Sequence, residues 1–168
     1  YTALARKEDD ASALHGYLEK IEMSSQHLLT LLNDILDMSR IESGTVELEY
    51  TPTDLKALFG DMYDLFSDQM HQKNLSYAVH TDHVRHSGVW CDRKNLTRVL
   101  MNLISNAYKF TPEGGSVDVS LWENGSEEGD YGSYEIRVRD SGIGMSTDFV
   151  EKMFTAFERE RTSTVSRQ

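Results

Sequence analysis

The stretch Asn102-Leu103-Ile104-Ser105-Asn106-Ala107-Tyr108-Lys109-Phe110-Thr111-Pro112 concentrates groups able to handle a metal-bound phosphate. On a helix, Asn102 and Asn106 stand one turn apart on one face, with Leu103, Ile104 and Ala107 turned toward a core. Carboxamide oxygens ligate hard cations such as Mg²⁺, and an ammonium further along, Lys109, offsets phosphate charge. Spacing alone leaves a plain solvated helix face as the simpler alternative.

A second candidate is Arg139-Asp140-Ser141-Gly142-Ile143-Gly144-Met145, at a predicted strand end. Glycines around one apolar residue allow close approach of a flat ligand, and the carboxylate before them can accept from an amino group, as on a purine. Asp-Ser-Gly is also common turn chemistry, and without context the turn is the simpler alternative. No GxGxxG or GxxxxGK[ST] occurs, so those phosphate-binding devices are excluded. His80, His83 and His86 recur every three residues in a predicted loop, a weak pattern for a metal site. His27, beside Leu28 and Leu29, reads as a surface or interfacial side chain.

These residues need elements to position them. From Asp9 to Ser43 there is no proline, and steps of three and four pass through Leu14, Tyr17, Ile21, Ser24, Leu28, Leu31, Ile35 and Met38. The expected rod of roughly 45 Å exceeds the needs of a small core and calls for a partner helix. Tyr1 to Lys7 reads as the end of a preceding antiparallel helix, giving a helical hairpin. After Ser43-Gly44 the pattern changes. Val46, Leu48 and Tyr50 alternate with glutamates as a half-buried strand, and Pro52-Thr53-Asp54 opens an amphipathic helix through Leu55, Leu58, Phe59, Met62, Leu65, Phe66 and Met70. Short strands are predicted at 75–79 and 89–91. Asp92 is the expected N-cap of the asparagine-bearing helix, and strands at 116–122 and 133–139 flank a Gly/Ser/Glu-rich loop. The predicted class is α+β: a long helical hairpin segment, residues 1–44, then a sandwich, residues 45–168, of helices on one face of a mixed, mostly antiparallel sheet.

In this order and spacing the pieces resemble the catalytic core of sensor histidine kinases, particularly the hybrid type, over essentially the whole chain. Residues 32–44 look like the end of that family's dimerisation and histidine-phosphotransfer hairpin. Asn102 to Thr111 matches its asparagine box NxxxNAxKF[ST], Asp140 to Gly144 its first glycine box DxGxG, and Met153-Phe154-Thr155-Ala156-Phe157-Glu158 looks like its phenylalanine box. The resemblance implies a Bergerat-type sandwich binding ATP and Mg²⁺. In it Asn106 would ligate the metal, with Asn102 one turn before it. Lys109 would contact phosphates, Phe110 would border the adenine and Asp140 would accept from its amino group. Gly142 and Gly144 would admit close approach, and Ile143 would line the base pocket, with Phe154 and Phe157 as lid anchors. It further implies a homodimer through the hairpin and a response-regulator receiver domain as partner.

Departures matter too. A histidine followed by Glu and Thr-Pro is absent and would be expected before Tyr1, and the second glycine box GxGLG would be expected after Gln168. The segment is therefore not expected to complete phosphorylation alone. A GHKL-type ATPase of the gyrase or chaperone kind is one alternative. It is disfavoured because Asn102 stands where a water-activating glutamate would be needed. A non-catalytic nucleotide-binding or dimerising module is another.

Composition bounds these readings. The 168 residues carry 28 Asp+Glu and 17 Lys+Arg, a net charge of −11, which argues against nucleic-acid or anionic-membrane binding. An acidic protein that holds ATP must supply cationic compensation locally, at Asn106 through Mg²⁺, at Lys109 and at lid arginines such as Arg159 and Arg161. The single Cys91 excludes an intramolecular disulfide and points to a reducing, cytoplasmic setting. No apolar run reaches the roughly 18 residues of a membrane span.

Overall fold

The computed structural model describes residues 1–6, 10–45, 47–125 and 131–155, apart from the side chains of residues 27, 30, 31, 33, 34, 37 and 42. The chain divides into two compact units, Tyr1–Glu47 and Leu48–Gln168.

The first unit is helical. A short helix α1 (Thr2–Ala5) precedes a 32-residue helix α2 (Ala11–Glu42), whose N-cap Asp10 accepts from the Ala13 amide at 3.2 Å. It is about 48 Å long at 1.5 Å per residue. Its far end closes at Ser43 and Gly44, the glycine taking φ +67°, with the Thr45 amide returning to the Arg40 carbonyl at 3.0 Å. The Tyr1 ring stacks on Tyr17, centroids 6.3 Å apart, and the Lys20 ammonium lies 5.2 Å from that ring. Leu14, Tyr17 and Ile21 are half-buried in consequence, whereas Leu28, Leu32, Ile35 and Leu36 stay exposed. No described helix is long and apolar enough to cross a membrane.

The second unit opens with strand β1 (Thr51–Asp54) and helix α3 (Leu55–Gln72), followed by strands β2 (Ser76–His83) and β3 (Gly88–Cys91). Helix α4 (Arg93–Phe110), strands β4 (Ser116–Glu123) and β5 (Tyr134–Asp140) and a helical turn α5 (Thr147–Val150) complete it. β1 and β3 pair antiparallel as a ribbon. The other sheet has the order β2-β4-β5, with β2 parallel and β5 antiparallel to β4. Residues alternate on β4, so Val117, Val119 and Leu121 are fully buried against Leu58, Phe59, Met62 and Met70 of α3 and Leu100 and Ile104 of α4. Each such side chain contributes about 1.5–3 kcal/mol by burial. Helices α3 and α4 thus share one face of the sheet, the expected α+β sandwich.

Two expectations about local structure are corrected. Residues 47–50 form no strand: Leu48 and Tyr50 are 54% and 60% exposed, and β3 takes Thr51–Asp54 as its partner instead. The alternation there lacked a buried face to serve. Pro52 sits in this edge strand opposite Trp90, a tolerated place for a residue without an N–H. His80 and His83 lie on β2, not in a loop, because β2 continues through a bulge between them until His83 stacks on Trp122 at 3.7 Å.

Candidate nucleotide site

The site's scaffold is α4. Asp92 caps its start, accepting from the Asn95 amide at 2.9 Å and, through its other oxygen, from the Glu49 amide at 3.1 Å. The Asn95 amide bond is the chief cause that holds the Asp92 carboxyl below the ordinary range. Leu100, Ile104 and Ala107 anchor one side of the helix in the core, which leaves Asn102 and Asn106 exposed one turn apart on the wet side. Leu103, expected inside, is 44% exposed, since Leu100, Ile104 and Ala107 already fill the helix's contact with β4.

The four terminal carbonyls of an α-helix have no partner within it. Here all four are engaged. The Ala107 oxygen accepts from the Thr111 amide at 3.0 Å, the Phe110 oxygen from the Ile143 amide at 3.3 Å, and the Tyr108 and Lys109 oxygens from the Lys73 ammonium at 2.6 and 3.4 Å. Lys109 points its own ammonium over the Phe110 ring, 5.2 Å from the centroid. Thr111 is fully buried, and its hydroxyl has no hydrogen-bond partner.

The Phe110–Ile143 bond brings the second candidate stretch to the end of the first. Beyond β5, the Asp140 carboxylate folds back to accept from the Gly142 amide at 2.8 Å, and Ser141 exchanges two bonds with the start of β4, to the Ser116 amide and carbonyl at 2.8 and 3.0 Å. Gly142 is required by close approach: a Cβ there would lie 2.7 Å from the Phe110 carbonyl oxygen. Gly144 is required by conformation, with φ +69°. Ile143 remains 55% exposed, an apolar side chain beside a carboxylate. Phe154 is 90% exposed, while Phe157, Glu158, Arg159 and Arg161 lie outside the described residues.

The donor set suits a metal that arrives with its phosphates. Mg²⁺ keeps several waters and commonly takes only one or two protein oxygens, so a single carboxamide such as that of Asn106 would fit it beside a triphosphate. No group of three His, Cys, Asp or Glu that could cage an ion occurs among the described residues. The three clustered histidines instead have separate neighbours: Asp118 for His80 at 3.9 Å, Trp122 for His83, and Glu123 for His86 at 2.6 Å. An open cleft of about 330 Å³ lies near the start of α4, lined by Glu49, Thr51, Asp92, Arg93, Lys94 and Thr97, and includes none of the site residues.

Residues 91–168 match the family model described as histidine kinase-, DNA gyrase B-, and HSP90-like ATPase. The sensor protein GacS of Pseudomonas syringae pv. syringae is 34% identical over 168 residues, covering 100% of this chain and 18% of GacS. Residues 91–168 carry an ATPase domain of the kind shared by histidine kinases, DNA gyrase B and HSP90. Full-length ShkA solved in complex with AMPPNP aligns to this chain with a TM-score of 0.69 and 27% identity, over 87% of this chain and 30% of ShkA. Histidine kinase ThkA solved in complex with response regulator protein TrrA aligns with a TM-score of 0.66 and 26% identity, over 94% of this chain and 44% of ThkA. The chain spans about a fifth of the length of these curated relatives.

Sequence reasoning missed two features of this ATPase domain. Lys73 belongs to no motif, and its bonds to residues 35 and 36 positions away have no local signature. The buried hydroxyl of Thr111 was legible only as the last letter of the asparagine box.

Proposed function

We propose that the ATPase domain binds ATP with Mg²⁺ between the asparagine face of α4 and the Asp140–Gly144 turn. From there it presents the γ-phosphoryl to a histidine on a dimerisation hairpin, and the phosphoryl passes on to an aspartate of a response-regulator receiver domain. The observation that carries this reading is the Phe110–Ile143 backbone bond, which joins the phosphate-side residues to the adenine-side residues.

The division of labour follows from residue chemistry. Asp140 engages one carboxylate oxygen with the Gly142 amide, which fixes the plane of the group and turns the other oxygen to an adenine amine. Ile143 and Phe110 flank the base. Asn106 supplies the protein's ligand to the metal, and Lys109 meets the phosphates as a point charge. Mg²⁺, when bound, neutralises phosphate charge. The remaining contribution is positioning, the principal requirement of phosphoryl transfer. The exposed Leu28, Leu32, Ile35 and Leu36 of α2 support a homodimer, since a rod of that length with an apolar stripe is stable when a second helix covers it.

Isothermal titration with ATP and Mg²⁺ tests the site. Asp140→Ala removes one charge-assisted hydrogen bond, about 1.5–3 kcal/mol, so adenine-nucleotide affinity should fall about 10- to 150-fold with circular dichroism unchanged. Unchanged affinity would overturn the adenine role of Asp140.

A further inference from the structure

A lysine in the last turn of a helix can fold back to bond its free carbonyls, where the negative end of the helix dipole also attracts it. Lys109 is such a residue. Its place is taken: Lys73, the residue that ends α3, donates to the Tyr108 and Lys109 carbonyls at 2.6 and 3.4 Å and rests its ammonium 4.8 Å from the Tyr108 ring. The junction is fastened further by neighbouring bonds. The Asn74 amide group donates to Glu113 at 2.6 Å, the Gly114 amide to the Asn74 carbonyl at 3.2 Å, and the Ser76 amide to the Gly115 carbonyl at 2.9 Å. Asn74 takes φ +54°, the left-handed turn that brings the chain from α3 into β2.

We propose that Lys73 is a positioning residue: by capping the C-terminal carbonyls of α4 it releases the Lys109 ammonium from its own helix end and keeps it available to phosphate. The proposal rests on the nucleotide reading for the phosphate but not for the capping. With Lys73 neutralised, two carbonyls lose their cation, and Lys109 is the nearest replacement along the chain. It then folds back, and the phosphate contact is lost while the base contacts at Asp140 and Ile143 persist. The effect is therefore specific: selectivity for ATP over adenosine falls, whereas a general loosening would weaken both ligands together.

Two measurements on Lys73→Met, Lys73→Gln and Lys73→Arg test it. In the first, brief acetylation of the nucleotide-free chain is read by peptide mass spectrometry. Lys109 in the unaltered chain is expected to label faster than Lys73, and to label several-fold more slowly in the Met and Gln variants. Arg, whose fork also reaches two oxygens, should restore it. In the second, calorimetry should show ATP affinity lowered about tenfold in the neutral variants, adenosine affinity little changed, and both normal in the Arg variant. The Gln variant retains a donor and keeps the test open if the Met variant does not fold. Unchanged Lys109 labelling in a folded neutral variant would overturn the capping role, whatever the nucleotide results. Reduced labelling with an unaltered ATP-to-adenosine ratio would overturn the link to phosphate. If the unaltered chain binds no ATP, the nucleotide reading falls and labelling alone decides the role of Lys73.

Discussion

Gly142→Ala adds one methyl group where the glycine turn meets the end of α4. The new Cβ would stand 2.5 Å from Asp140 Oδ1, 2.7 Å from the Phe110 carbonyl oxygen and 3.1 Å from its carbon. Ordinary contact begins at 3.4 Å, so the approach to the carbonyl oxygen is roughly 0.7 Å too short. Neither neighbour yields readily. Asp140 Oδ1 already accepts the Gly142 amide at 2.8 Å, and the Phe110 carbonyl is fixed in the helix end. The turn must therefore retreat, and the Phe110–Ile143 bond, already 3.3 Å, breaks. Overpacking of this kind costs about 1–3 kcal/mol in stability, with about 1 kcal/mol more for the broken bond. With the Asp140–Gly144 turn driven from α4, the hydrogen bond proposed for the adenine amine is weakened, and a loss of about 1.4 kcal/mol lowers ATP affinity about tenfold. Calorimetry reads the affinity, thermal denaturation the stability, and amide hydrogen exchange at Ile143 the broken bond. Gly60→Ala is the control: this exposed glycine lies on α3 outside the site, and a Cβ there meets nothing within 4 Å, so ATP affinity should be unchanged. Affinity retained in Gly142→Ala, with Ile143 still protected, would refute the reasoning.

Acid should act on the second unit through Glu123. Hydrogen bonds from the His86 ring, then from the His86 and Arg85 amides, hold its carboxyl at about 2 against an ordinary 4.5. A depressed folded-state value means the contribution is complete above pH 4.5 and lost as pH falls toward 2, so Glu123→Gln should flatten the acid limb of stability in that window, read by circular dichroism. Tyr77, raised to about 12 chiefly by burial and secondarily by Tyr63, should titrate late at 295 nm, and Tyr77→Phe should reduce the late step by one tyrosine. If α2 pairs two copies as proposed, Leu28→Asp with Ile35→Asp should yield monomers in analytical ultracentrifugation, because both side chains are exposed on the part of α2 beyond its contact with α1.

Local chemistry was legible wherever one residue type had one purpose. Asp10, Asp54 and Asp92 each cap a helix as their sequence positions suggest, and the alternation at 116–122 gave β4 with its buried side. Patterns failed where the same spacing has two physical uses. Leu48 and Tyr50 alternate like a strand but have no partner edge, and Leu103 has a helical spacing that α4 does not need to bury. The candidate site was legible as two separate stretches. Their meeting was not, because it depends on backbone groups of Phe110 and Ile143, which every residue but proline possesses.

That Phe110–Ile143 link has an experimental blind spot. Alanine scanning would pass over it, since replacing either side chain leaves the amide and carbonyl in place. The reciprocal holds for natural drift: the residues at 110 and 143 can diverge in size while the spacing between the two halves of the site persists. A main-chain edit, such as an ester in place of the Ile143 amide, would reach this contact directly.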